Sequence, residues 1–364
     1  MIKLSKNQLF TLMFVFEVGS TTLFALGIDA KQDAWIVILV ALLIGLVFIW
    51  IYTELQNIFP GKNYVEIIIS ILGKKIGIPL ALLYAVFWLW PAARNLREFG
   101  ELIGTTLLPE TPLTIILFIF ILVSLYALLK GVEVFARTSE IVMPVITFFT
   151  LSLFVMIFIS GRVDFKNLKP ILAEGFMPVL KAAYPNVSLF PFGEIFIFSM
   201  YWCYADEKKT IRKTTMLAAV LTGVLLSMTL IMDITVLGVK YTSLATIPLL
   251  ETVRLVNIGD VITNIDALGI LLMFLGGFYK MTLFLNGVVL VLVTVFKIKN
   301  YNVVLVLVSI FLLWVSYVFE PSYAYHRWMT PFDTNYFYIV FLHIIPTLLL
   351  LIYWVKKRRS VKKS

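Results

Sequence analysis

The residues able to do chemistry in this chain are acids and bases set where apolar side chains are expected. Glu17 lies in the first apolar run and is followed closely by Gly19, Ser20, Thr21 and Thr22. Far along the chain, Phe192, Gly193 and Glu194 follow Pro191 inside another apolar run. Arg94, Arg97, Glu98 and Glu101 fall at i, i+3, i+4 and i+7. That spacing puts them on one helical face, able to pair with each other. Lys280 is a base in the middle of a long apolar stretch. In hydrocarbon such groups are expensive and must face protein, one another or a water-filled cavity. Buried carboxylates there can pair with bases, carry protons or hold a ligand's ammonium, and hydroxyls can both donate and accept.

Enzyme chemistry finds little support. His326 and His343 are far apart and match no metal-ligand spacing, and Cys203 is the single cysteine. There is no P-loop, no G-x-S-x-G and no Cys-His pairing. No catalytic residue, metal site or cofactor is therefore expected. His326, in "YAYHRWM", reads as part of an aromatic belt near an outer surface.

The elements that must position these residues are set by composition. The 364 residues are 61% hydrophobic and 14% charged, and mean hydropathy is +0.98. So much apolar surface points to an all-α integral membrane protein. A helix needs about 20 apolar residues to cross a bilayer, which gives about ten spans. They run roughly over 8–28, 34–54, 77–108, 112–130, 140–160, 187–204, 213–237, 261–296, 302–319 and 335–355. The third and eighth are unusually long. The net charge of +9 does not indicate nucleic acid, because most bases sit in short loops between apolar runs. With the N-terminus inside, 19 Lys and Arg fall on the cytoplasmic side and 8 outside. Both termini are then cytoplasmic, which requires an even number of crossings. The basic tail "KKRRSVKK" serves orientation and attraction to anionic membrane lipid. The amphipathic pieces "GFMPVLKAA", "IPLLETVRLV" and "NYVEIIISILGKKIG" read as surface connections, with a lid as the sharper alternative for each.

The first and sixth spans both carry an interruption and a carboxylate. Small residues such as Gly19 more often serve close helix packing. Two interruptions at matching places in two halves are the pattern of inverted-repeat transporters. The chain, 1–364, then reads as one polytopic membrane domain with a 5+5 inverted repeat and discontinuous helices 1 and 6. Its parts are a first repeat of about 8–160, an outer loop 161–186, a second repeat of about 187–355 and a tail 356–364. No residue-level repeat joins the halves, so the symmetry rests on spacing.

Four segments together resemble the B subunits of endospore germinant receptors, a permease-like family related to amino-acid/polyamine/organocation transporters. They are "GSTTLFALGIDAKQDAWI", "REFGELIGTTLLPETP", "KGVEVFARTSEIVMP" and "FPFGEIFIF", in that order. The resemblance covers essentially the whole chain. It implies a ten-span inverted-repeat fold with a small-molecule pocket between broken helices 1 and 6. It also implies residence in a bacterial cell membrane or spore inner membrane, and receptor partners: an A subunit and a C-subunit lipoprotein.

A germinant, expected to be an amino acid, would then bind at Gly19, Ser20, Thr21, Thr22, Phe192, Gly193 and Glu194. Free N–H groups near Ser20 to Thr22 and Gly193 would hold its carboxylate, and Glu194 its ammonium or a proton. Arg94, Arg97, Glu98, Glu101 and Lys280 would form a buried polar network. The alternative is a proton- or ion-coupled amino-acid transporter using the same pocket, with Glu194, or Glu98 and Glu101, carrying protons.

Overall fold

Ser5 opens the first helix by accepting from Gln8 N–H while the Gln8 side chain accepts from Ser5 N–H. This reciprocal cap satisfies two backbone donors that the helix start leaves orphaned. α1 (Lys6–Val18) ends at Gly19, whose φ of −14° and ψ of −108° lie outside the helical region. The chain continues as a 3-10 turn, Ser20–Leu23, and a second short turn, Ile28–Asp33, before α2 (Ala34–Ile58). The first apolar run is thus a helix that stops partway and changes winding.

The computed structural model describes residues 3–255, 266–319, 325, 328–329 and 332–361. His326 and the start of the span expected over 261–296 lie outside them. After α2 come α3 (Tyr64–Leu72), α4 (Lys74–Thr106), α5 (Leu113–Leu129) and α6 (Val132–Ile159). The short α7 (Met177–Ala182) passes into a π-wound turn, Ala183–Val187. Then follow α8 (Ile211–Leu244), α9 (Pro248–Arg254), α10 (Asp266–Phe296) and α11 (Tyr301–Val318). A π-wound segment, Asp333–Ile344, leads into α12 (Ile345–Val361).

Seven helices among the described residues are long and apolar enough to cross a membrane. α5, with 17 residues, is apolar but shorter. Their outer faces carry exposed large apolar residues such as Leu43, Phe148, Ile310 and Trp314. Water would penalise that surface and lipid does not, so the chain is a multi-pass integral membrane protein. The amphipathic pieces expected as surface connections are the short helices α3, α7 and α9.

The sixth apolar run departs most from a regular span. Pro191 to Gly193 form a turn, and Glu194–Met200 is a buried 3-10 helix rather than an α-helix. Proline supplies no N–H and cannot sustain the α-helical ladder, which accounts for the change of winding. Hydrogen bonds to its neighbours compensate. Tyr201 donates to Leu283 O at 2.6 Å, and Asn286 donates to the Tyr201 hydroxyl at 3.1 Å, tying the segment to α10. The end of the same run pairs with the N-terminus: Leu4 N–H donates to Tyr204 O, and Asp206 N–H to Leu4 O.

Candidate ligand-binding site at two chain breaks

Gly19 is where the first break meets α10. A Cβ on Gly19 would lie 2.8 Å from Phe16 O and 3.1 Å from Gly276 O. A Cβ on Gly276 would lie 2.7 Å from the Gly19 Cα. Two glycines therefore let backbone touch backbone, the small-residue packing typical of membrane helices. At Gly19 close packing and the break coincide.

Beyond Gly19 the side chains divide between two cavities. Ser20 lines a cavity of about 310 Å³, together with Phe24, Arg94, Asn95, Glu98 and Glu194 among others. Thr21 and Thr22 face the other way, into a void of about 10 Å³ that they share with Thr229 and Asp233 of α8. That is room for a single water. The Thr21 hydroxyl lies 2.6 Å from Glu17 O and 2.7 Å from Val18 O, carbonyls that the helix end leaves open.

The second break divides likewise. Glu194 lines the larger cavity, whereas Phe192 is fully buried and packs against Gly45 of α2 and Gly223 of α8. Gly193 N–H donates to Leu189 O at 3.1 Å, so it is not the free donor expected for a ligand carboxylate.

The expected polar residues enter three ion pairs among the described residues. Arg97 pairs with Glu101 at 2.7 Å along α4, as the i, i+4 spacing anticipates. Arg94 pairs with Asp333, which also accepts from Trp90 Nε1 at 3.0 Å. Lys280 joins neither. Its Nζ lies 2.6 Å from Glu194 Oε2, and 4.4 Å and 5.3 Å from the ring centroids of Phe190 and Phe16. The ammonium thus has a carboxylate and two aromatic faces as neighbours, in place of water. Tyr338 reaches Glu194 from the far wall of the cavity.

Asn95, Asn186, Asp29, Asp333 and Tyr338 line the cavity without having been marked as site residues by sequence. Asn95 carried a faint signal, as an amide inside the charged face of α4. Among the described residues, Ser20 Oγ and Asn95 Oδ1 are buried with no hydrogen-bond partner. His343 is a packing residue: its ring stacks on Phe48 with centroids 3.4 Å apart.

Paired broken segments beside a polar cavity inside a helical bundle define a transporter-like membrane protein. The fold is similar to that of Mhp1, a nucleobase-cation-symport-1 family transporter solved in a closed conformation with bromovinylhydantoin bound. The TM-score is 0.64 at 14% identity, covering 98% of this chain and 80% of that one. By sequence, residues 3–324 match the spore germination protein family, also called Spore_permease, and the chain belongs to it. It is 31% identical to spore germination protein KB of Bacillus subtilis (strain 168) over 367 aligned positions, covering 100% of this chain and 98% of that protein. It is 26% identical to spore germination protein XB of Bacillus anthracis over 341 positions, 90% of each chain.

Proposed function

We propose that this chain is the B-type membrane subunit of a germinant receptor, and that a small germinant, an amino acid, binds between the two breaks. One observation carries the reading. A cavity of about 310 Å³ touches both broken segments, and Ser20 Oγ and Asn95 Oδ1 lie buried at its wall without partners. Leaving a buried polar atom unmatched costs about 1–3 kcal/mol, which a ligand's polar groups offset. Acids outnumber bases on that wall, with Asp29, Glu98, Glu194 and Asp333 against Arg94. The ligand's ammonium is drawn to that side, and its other polar groups meet Ser20 and Asn95.

The architecture that goes with this reading has ten crossings in two inverted halves of five, with helices 1 and 6 discontinuous and both termini cytoplasmic. Binding favours one of two arrangements of the broken segments and passes the difference to A and C subunits. The fold likeness to Mhp1 favours a second reading, a proton- or ion-coupled amino-acid transporter using the same cavity.

The test uses the purified full chain in lipid nanodiscs, titrated calorimetrically with single amino acids. Saturable binding is expected for at least one, weakened about tenfold in Ser20→Ala and Asn95→Ala, the loss of roughly one hydrogen bond. Binding that both variants leave intact refutes the cavity assignment. Saturable accumulation of the same amino acid by the chain alone in vesicles favours the transporter.

A further inference from the structure

Glu17 is fully buried in the last turn of α1, and neither carboxyl oxygen has a hydrogen-bond partner among the described residues. It lines neither of the two cavities. The charges acting on it are Lys280 from α10 and Glu194 from the 3-10 segment after the second break. Tyr52 of α2 is the other titratable group near it, and its hydroxyl is also unpartnered. The α6 and α8 helices, which also pack on α1, bring no charge that acts on Glu17. Glu194 in turn faces Lys280, Glu17 and Tyr338, with Arg94 and Asp333 behind that tyrosine.

Two buried carboxyl groups thus share one ammonium. Lys280 is committed to Glu194, at 2.6 Å. Ionised, Glu17 would be a surplus negative charge in a fully buried site at the negative end of a helix dipole. Lys280, held by Glu194, offsets that charge only in part, and such a group is neutralised instead. We propose that Glu17 is a proton-binding site: a neutral carboxylic acid at the end of α1, set beside the first break. The proton is assigned to Glu17 because its carboxyl oxygens have no hydrogen-bond partner among the described residues, whereas Glu194 and Glu101 hold Lys280 and Arg97. Loss of the proton leaves two carboxylates competing for Lys280, which links the two breaks through one base. Proton occupancy then biases how α1, the second broken segment and α10 sit against each other. The inference stands on this cluster alone, whatever molecule the larger cavity takes.

Infrared spectra of the purified chain in lipid nanodiscs at neutral pH test it without any ligand. The carbonyl stretch of a protonated carboxylic acid, shifted in deuterium oxide, is expected in the wild type and in Glu194→Gln. Its amplitude falls in Glu17→Gln. Thermal unfolding is the second readout. Glu17→Gln, which replaces a neutral acid by a neutral amide, is expected to keep the wild-type melting temperature at neutral pH, whereas Lys280→Met lowers it. Three results overturn the proposal. One is a Glu17→Gln spectrum that retains the full band. Another is a Glu17→Gln protein as destabilised as Lys280→Met, or unable to fold. The third is a wild type without the band whose stability rises with sodium or potassium, which makes a metal cation the neutralising charge.

Discussion

Gly19 and Gly276 are the closest approach of backbone to backbone at the first break, and the contact has a definite cost of disturbance. A methyl group on Gly276 would sit 2.7 Å from the Gly19 Cα, where no flexible side chain can give way. Overpacking of this kind costs about 1–3 kcal/mol. Gly276→Ala is therefore expected to lower the melting temperature of the purified protein. Gly269 is the control, since it belongs to the same helix and a Cβ there meets nothing within 4 Å among the described residues. Gly269→Ala is expected to be neutral or stabilising by up to about 1 kcal/mol, because alanine is the better helix former. Equal losses in both variants would mean that the contact is not tight. The sequence marks Gly19, because a glycine followed by three hydroxyl residues is foreign to an apolar helix. Gly276 could not be read in this way. Nothing local in "FLGGFYK" says which glycine meets a partner 257 positions earlier.

Among elements, the link that sequence spacing misses is the one between α4 and the π-wound segment before α12. An i, i+4 rule sees Arg97 and Glu101, and the pair is present at 2.7 Å. It has no way to see that Arg94 is held by Asp333, 239 residues away, because that contact exists only once two distant segments pack. The same holds for Lys280 and Glu194. The types were legible as buried charges needing partners, but the pairing depends on rotations that one sequence does not fix. Both members of the Arg94–Asp333 pair are buried, so removing one strands the other's charge in a low-dielectric site. Asp333→Ala is expected to cost about 3–5 kcal/mol. Replacing both, as in Arg94→Met with Asp333→Leu, recovers most of that loss, because two apolar groups of similar volume leave no charge behind. Unfolding midpoints in detergent across this double-mutant cycle measure the coupling. Additive losses would mean that the pair holds nothing together.

For the whole molecule, the charge distribution and the chain's crossings make one joint demand. In the ten-crossing arrangement proposed above, bases fall 19 to 8 in favour of the segments on the side of the N-terminus. Because positive loops are retained in the cytoplasm, that side is the inner one under the proposed arrangement. Leu4 at the start of the first run pairs with Ala205 at the end of the sixth, which puts those two ends on one side. In the proposed arrangement the first run therefore travels outward and the sixth inward. A tag at either terminus is accordingly expected to resist protease in intact cells and to be cut once the membrane is opened. A tag placed in the exposed stretch at Ala173 or Glu174, between α6 and α7, is expected to be cut in intact cells. Protection of one terminus with cleavage of the other gives an odd number of crossings. That result removes the two equal halves, and with them the reason for setting Gly19 and Gly193 at equivalent places.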